Sequence, residues 1–293
     1  MAKEVIVQPQ LGIATINYLN WQDTIEMVTS LKKQSLQDFH LVIVDNGSNN
    51  DSMTQLSKQY AADPQISLIE SKKNLGFAKA NNLAIELLKK KYELEKVLII
   101  NNDLIFQDDS YLAKLSQIRY ASDVGAVGTS ILTATGFQQN PVYDVTTLLR
   151  LLEQNWDFFF FPLFHWRHNL FRKISQWAGK PRPERGDYER NKSFILHGAA
   201  ILLTENYLSW SKGFYPKTFL YFEENILHII FEKAGLKMCF QPISGIYHKE
   251  DQSSKLAKQD DAFKIKLLSK NTRKAILLRL LPSSLIRRIM SDN

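Results

Sequence analysis

Apolar residues follow two alternating patterns along the first hundred residues of the chain. Short runs rich in β-branched residues predict four buried strands: Leu11–Ile16, His40–Val44, Ile66–Glu70 and Val97–Ile100. Apolar residues at helical spacing predict helices between them, at Asp23–Lys33, Asp51–Tyr60 and Gly76–Lys91. Strands that alternate with helices favour right-handed crossovers, so we predict an α/β fold with a mainly parallel central sheet flanked by helices.

Polar residues follow three of these predicted strands directly. In parallel α/β sheets, ligands bind beyond the carboxyl ends of the strands. We therefore expect Thr15–Tyr18, Asp45–Ser48 and Asn101–Asp103 to lie along one rim of the sheet.

The second half of the chain is less regular. Residues 137–192 combine an aromatic cluster at Trp156–Pro162 with a basic stretch, and we interpret them as an insertion with helical parts. Core-like sequence returns at Ser193–Leu203. A helix is predicted at Glu223–Ala234, closed by Gly235, and a strand at Met238–Gln241. Residues 261–290 are predicted to form an amphipathic helical tail interrupted at Pro282.

Composition narrows the class of protein. A single cysteine, Cys239, excludes an internal disulfide and a Cys-rich zinc site. The N-terminus lacks a signal-peptide pattern, and no run approaches the roughly 20 apolar residues that span a bilayer. We therefore expect a cytoplasmic protein.

The net charge of +7 is concentrated at 165–192 and 255–288. Such basic segments fit either an anionic partner or a solvated helix face. Nucleic acid is not expected as a partner, because no recognition motif is present and the charges lie outside the predicted rim.

Two segments suggest a site for a nucleotide. Asp45 follows a buried strand and could accept hydrogen bonds from a base, although a capped turn explains it as well. Gly76 would open a helix whose free N–H groups favour anions, with Lys79 adding positive charge. The adjacent Asn81 and Asn82 are poor helix formers, which is unusual for a helix that merely packs.

Three further segments suggest acid–base or metal chemistry. Asp103 at a strand end could hold a divalent cation that bridges two phosphates, or could simply end the strand. Glu223 and Glu224 begin a helix, where acidic residues are favoured by the dipole, yet either could act as a general base. His248 could be a metal ligand, although a lone histidine is more often structural.

Taken in order, these segments resemble glycosyltransferase family 2, the inverting transferases of the GT-A (nucleotide-diphospho-sugar transferase) fold, and most closely its rhamnosyltransferase-like branch. The resemblance is carried by Val42–Ser48, Asn74–Asn82, Ile99–Asp103, Gly198–Ala200, Phe219–Gly235 and Tyr247–His248. It covers roughly residues 1–250, with 137–192 and the tail poorly matched. We accordingly predict a catalytic domain at 1–254, with a nucleotide-binding half at about 1–136 and an acceptor-side half at about 193–254, followed by the basic tail at 255–293.

The resemblance implies a role for each matched residue. Donor binding is assigned to Thr15, Asn17, Asp45, Gly76, Lys79, Asn81 and Asn102. Asp103 and His248 would bind Mg²⁺ or Mn²⁺, and Glu224 would be the catalytic base, with Glu223 as the fallback. The chain departs from the family pattern at Asn101, which replaces the first acid of the DXD motif, and at Glu224, which replaces the usual aspartate.

Expected partners also follow from the resemblance. The donor would be dTDP-rhamnose, or a UDP-hexose, and the acceptor a glycan or lipid-linked glycan in the synthesis of cell-surface polysaccharide such as capsule or cell wall. The tail would lie on the inner face of the cell membrane, or pack on its own domain or a dimer mate. The rivals are a non-catalytic nucleotide-sugar- or glycan-binding module and a sugar-phosphate nucleotidyltransferase; the latter usually has a Gly-rich loop after the first strand, and Thr15–Asn20 contains no glycine.

Overall fold

The computed structural model describes residues 9–143, 146–156, 194–249 and 261–292. These contain one eight-stranded sheet in the order β3-β2-β1-β4-β7-β6-β8-β5. The strands are β1 (Leu11–Asn17), β2 (Phe39–Asp45), β3 (Ile66–Glu70), β4 (Val97–Asn101), β5 (Leu104–Phe106), β6 (Val124–Thr133), β7 (Ala200–Leu203) and β8 (Lys237–His248). The helices are α1 (Trp21–Leu31), α2 (Ser52–Tyr60), α3 (Phe77–Tyr92), α4 (Tyr111–Ser116), α5 (148–156), α6 (Glu205–Leu208), α7 (Glu223–Ala234), α8 (Asp261–Leu280) and α9 (Ser283–Ser291).

The strand directions confirm the α/β fold class and refine it. Strands β1 to β4 are parallel to one another, as predicted from their alternation with helices. The sheet is nevertheless mixed, because β7 is antiparallel to both of its neighbours and β5 is antiparallel to β8. Both faces are covered by helices, which explains why β2 and the first four residues of β4 are buried without interruption.

Two hydrophobic clusters lie on opposite faces of the sheet. One packs α1, α2 and α4 against the sheet through residues such as Met27, Leu56 and Leu112. The other packs α3, α7 and the C-terminal helices through residues such as Leu88 and Ile230. The sheet edge that carries the carboxyl ends of β1, β2 and β4 is thereby held between two helical layers.

The C-terminal helices pack on the domain itself. Ala275 and Leu278 of α8 and Ile286 and Met290 of α9 are buried in the same cluster as α7. Pro282 separates the two helices, as predicted. The predicted amphipathic pattern holds for α9 but not for α8, which also buries polar residues and exposes Leu277 and Leu280.

Residues 144–145 and 157–192 of the predicted insertion and 255–260 of the predicted tail lie outside the described residues, as do 193 and 250–254. The predicted domain boundaries stay predictions. None of the helices in the described ranges is long and apolar enough to cross a membrane.

Candidate active site

The three predicted rim segments meet at one edge of the sheet. Asn17 at the end of β1 pairs in register with Asp45 at the end of β2, and Ile16 pairs with Asn101 of β4. These contacts follow from the parallel order of β2, β1 and β4, since parallel neighbours end at the same edge.

A buried hydrogen-bond network ties the rim together. The Oδ1 of Asp45 accepts from Asn17 Nδ2 at 2.7 Å and from the hydroxyl of Ser48 at 2.7 Å. Thr24 donates to Asn17 Oδ1 at 2.8 Å and accepts from Asn102 Nδ2 at 3.0 Å. The network fixes the loop after β4 relative to β1 and β2, because three of its four hydrogen bonds are buried and the fourth is partly buried.

A cavity of about 510 Å³ opens beside this rim. Its volume lies within the range of roughly 300–1,000 Å³ that small-molecule sites occupy. The polar residues of its wall are Tyr18, Asn46, Asn74, Asn101, Asn102, Asp103, Gln139, His197, Tyr221, Glu223, Glu224, Asn225 and His248. The wall thus draws on both halves of the chain.

Asp103 and His248 form one wall of the cavity. Pairing of β5 with the end of β8 brings them together, and Asp103 Oδ1 lies 3.2 Å from His248 Nε2. On the other side of the ring, His248 Nδ1 lies 2.7 Å from Gln139 Oε1. An amide oxygen only accepts, so His248 Nδ1 donates to Gln139, and this bond fixes the ring with its Nε2 toward the Asp103 carboxylate.

This donor set fits a divalent cation. Bonds of about 2.1 Å place adjacent octahedral ligands about 3 Å apart, close to the separation of the Asp103 and His248 atoms. Metal-bound histidines commonly donate their second N–H to a carbonyl, as Nδ1 does to Gln139. Within the described ranges no group of three or more His, Cys, Asp or Glu side chains surrounds this point.

Two carboxylates also line the cavity. Glu223 is 5% exposed, and its Oε1 has no hydrogen-bond partner among the described residues. Burial, reinforced by the charge of Glu224, raises the pKa of Glu223 to about 8. Burial also raises the pKa of the half-buried Glu224, whose carboxylate is partly stabilised by the backbone N–H of Gly198.

The segment that leads into these carboxylates has an unusual backbone. Tyr221 and Phe222 both adopt the left-handed region, with φ of 66° and 75°. Each such residue without glycine costs about 1–2 kcal/mol. The two left-handed conformations turn the chain sharply into α7, so that the first residues of that helix face the cavity.

Comparison with known proteins identifies the family. A family model described as "Glycosyl transferase family 2" matches residues 12–203, more than half of the chain. The chain belongs to glycosyltransferase family 2. The match spans the rim segments, Asp103 and Gly198 and ends before α7.

Two proteins are similar in sequence over short stretches. The bifunctional glycosyltransferase pgtA of Dictyostelium discoideum is 38% identical over 72 residues, which cover 24% of this chain and 9% of that protein. An uncharacterized glycosyltransferase of Rickettsia bellii is 29% identical over 128 residues, which cover 38% of this chain and 18% of that protein. The chain therefore matches less than a fifth of either relative.

Solved structures share the fold across nearly the whole chain. The mannosyltransferase PcManGT from Pyrobaculum calidifontis, in complex with GDP-Man and Mn²⁺, has a TM-score of 0.52 at 14% identity and covers 97% of this chain and 74% of its own. S. aureus TarS 1-349 in complex with UDP-GlcNAc has a TM-score of 0.53 at 14% identity, and the match covers 97% of this chain and 71% of the TarS chain. At this identity the likeness establishes the GT-A fold of this family 2 chain.

The structure brings together six of the predicted site residues of this family 2 chain. They all line the cavity: Gly76, Asn102, Asp103, Glu223, Glu224 and His248. Gly76 differs from expectation in detail, because its N–H donates to Asn74 Oδ1 at 2.9 Å and the next N–H, of Phe77, donates to the carbonyl of Phe219 at 2.7 Å. The helix start therefore offers fewer free donors to an anion than predicted.

Five predicted residues lie off the cavity wall. Thr15 and Asn17 are fully buried, and Asn17 accepts from Thr24 of α1. Asp45 is also buried, with its carboxylate held by Asn17 and Ser48. Two more are on α3: Lys79 is exposed, and the buried Asn81 donates to Phe77 O at 3.2 Å. Whether these residues contact a donor stays a prediction.

Sequence reasoning missed several wall residues of the family 2 site. His197 packs edge-on to His248, with ring centroids 5.8 Å apart, and its Nδ1 accepts from Ala199 N–H. Gln139 orients His248 from 109 positions away. Only the Gly198–Ala200 motif pointed to this region, because nothing local in the sequence shows which distant strand will lie beside it.

Proposed function

We propose that this chain is an inverting glycosyltransferase that transfers a sugar from a nucleotide-diphospho-sugar to a glycan or lipid-linked glycan acceptor. One observation carries the proposal. Asp103, His248, Glu223 and Glu224 all line one cavity. This arrangement brings a candidate cation site and a candidate base into the same cavity.

The wall formed by Asp103 and His248 would hold Mg²⁺ or Mn²⁺. The bound cation would supply charge neutralisation to the leaving diphosphate. Gln139 keeps the His248 ring turned so that Nε2 points toward Asp103. The network from Asp45 through Thr24 to Asn102 keeps the loop that carries Asp103 in place.

Glu224 is the proposed base. Its carboxylate takes the proton of the acceptor hydroxyl as that oxygen forms a bond to the anomeric carbon. The bond from the anomeric carbon to the diphosphate oxygen breaks, its electron pair stays on the diphosphate, and attack from the opposite face inverts the centre. Glu223, the preceding residue at the start of α7, is the alternative base.

The donor is a nucleotide-diphospho-sugar, with dTDP-rhamnose favoured by the rhamnosyltransferase-like motifs. UDP-hexoses are the alternative, and the complexes of TarS with UDP-GlcNAc and PcManGT with GDP-Man support the general donor class. Asp45, Thr15 and Asn17 are proposed to shape the nucleobase end. Lys79 and Asn81 are proposed to act near the phosphates or sugar.

Peripheral contact with the inner face of the cell membrane is proposed for the C-terminal helices. Leu277, Leu280 and Leu285 are exposed, with Arg287 and Arg288 nearby on α9. Flotation with anionic liposomes, comparing wild type with a Leu277→Ser/Leu280→Ser variant, tests this contact. Equal flotation of the two proteins would contradict it, and dimerisation of wild type alone would assign the leucines to a dimer.

A panel of nucleotide sugars tests the function. Purified protein with Mn²⁺ is screened by thermal shift against dTDP-rhamnose, UDP-hexoses and GDP-mannose, since a bound ligand raises the apparent melting temperature. The stabilising donor is then incubated with protein, and release of nucleoside diphosphate is measured. We expect release by wild type and loss of release in Glu224→Gln. Binding without release in wild type would support the non-catalytic module instead.

A further inference from the structure

The C-terminal helix α8 reaches the cavity wall. Leu268 of α8 lines the cavity, and one turn further Asn271 is 1% exposed. The Nδ2 of Asn271 donates to two successive carbonyls, Leu220 O at 2.9 Å and Tyr221 O at 2.8 Å. Both carbonyls belong to the segment that runs into Glu223 and Glu224.

The other end of the same amide is also engaged. Lys274, one turn along α8, donates to Asn271 Oδ1 at 3.0 Å and to the carbonyl of Lys217. An ammonium group only donates and a carbonyl only accepts, so these partners fix which end of the amide faces the segment. Asn271 is therefore held in the one orientation that supports Leu220 and Tyr221.

The segment that Asn271 holds contains two strained residues. Tyr221 and Phe222 hold left-handed conformations without the freedom of glycine, and such conformations persist only where surrounding contacts enforce them. The amide of Asn271 bonds to the carbonyls of Leu220 and Tyr221, which belong to the two peptides that flank the strained Tyr221. A hydrophobic residue at 271 could fill the same space but could not make either bond.

We propose that Asn271, oriented by Lys274, is a positioning residue that sets the backbone from which Glu223 and Glu224 enter the cavity. The C-terminal helices are then part of the active site and not an appendage to it. This inference rests on the proposed function for its catalytic consequence. The restraint of residues 219–225 by Asn271 does not depend on the proposed function.

Hydrogen–deuterium exchange of the full chain tests the restraint. Asn271→Leu removes both donors at similar size, and we expect amides in 219–225 to exchange at least ten times faster while those in 97–106 are unchanged. Thr272→Val is the matched control, because Thr272 is buried on the same helix but bonds only to Leu268 O of that helix. If Asn271→Leu does not fold, Asn271→Ser, which is too short to reach both carbonyls, takes its place. Unchanged exchange in 219–225 would overturn the proposal.

Kinetics with the donor found by the nucleotide-sugar panel test the consequence. We expect Asn271→Leu to lower kcat at least tenfold, to leave KM for the donor within twofold and to shift the acidic limb of the pH–rate profile. Asn271→Gln, which keeps the amide, should recover part of the loss. A loss confined to donor KM, or a normal kcat, would overturn the positioning role. Absence of turnover in wild type would instead refute the proposed function and leave the exchange result intact.

Discussion

The carboxylate of Glu224 lies directly against the α-carbon of Gly198. A Cβ added at Gly198 would overlap Glu224 Oε1 and lie 2.9 Å from its Cδ. Gly198 lies just before β7, and Glu224 lies at the start of α7. Their contact therefore joins two separate parts of the fold. Glycine at 198 is what allows the carboxylate to rest at the cavity wall.

Gly198→Ala should therefore separate activity from stability. The overlapping atoms are the end of a flexible side chain, so Glu224 can rotate away with a stability loss of about 1 kcal/mol or less. Loss of the base position should lower turnover at least tenfold. Gly12→Ala is the control, since its added Cβ would meet Leu88 at 3.1 Å, far from the cavity. Full turnover in Gly198→Ala would contradict the placement of Glu224.

Asp103→Asn should reduce metal-dependent turnover. The amide keeps the shape of the carboxylate but loses its charge, so we expect a loss on the order of 100-fold that excess Mn²⁺ partly restores. Activity is measured over a Mn²⁺ titration after chelation. Asp108→Asn, on an exposed salt bridge to Lys114, should behave as wild type. Full turnover of the wild type after chelation would contradict the proposed metal role.

Glu223 should make the fold less stable as pH rises. Its pKa increases from 4.5 in the unfolded chain to about 8 in the fold, so the folded state binds the proton more tightly. That stabilisation is complete below pH 4.5 and is lost as pH rises to about 8, at up to about 1.4 kcal/mol per pH unit. Glu223→Gln should therefore gain stability over wild type with rising pH, measured by urea unfolding at pH 5, 6.5 and 8. Glu86→Gln, at an exposed site, is the control. The same dependence of unfolding free energy on pH in wild type and Glu223→Gln would contradict the raised pKa of Glu223.

Gly76→Ala should lower the free energy of unfolding for two separable reasons. Gly76 has φ of 80°, and an added Cβ would overlap the carbonyl oxygen of Phe219. Gly136→Ala is the matched control, because its φ is 74° but no atom lies within 4 Å of the added Cβ. We expect a loss of about 1 kcal/mol in the control and about 2–4 kcal/mol in Gly76→Ala. Equal losses in urea unfolding would show that the Phe219 contact is unimportant.

The sequence allowed prediction of the rim but not of how the rest of the cavity wall is assembled. Asp45 and Asp103 could be placed together because parallel strands end at one edge, a rule that needs no tertiary detail. Strand β6 was missed because Gly125 and Gly128 interrupt its apolar run. In the fold both are close-packing positions, and a Cβ at 128 would overlap Leu196. The helix at Glu223–Ala234 was predicted with its bounds. The contacts of Gly198 with its first turn and of Asn271 with the segment before it could not be predicted, because they depend on packing across long sequence separations.

The central claim is that Asp103 and His248 hold a cation beside the diphosphate of the donor. The most direct measurement is anomalous diffraction from crystals grown with Mn²⁺ and either UDP or dTDP. We expect a manganese peak within about 2.5 Å of both Asp103 Oδ1 and His248 Nε2, in contact with the diphosphate. A nucleotide bound with its manganese elsewhere, or a diphosphate outside this cavity, would contradict it.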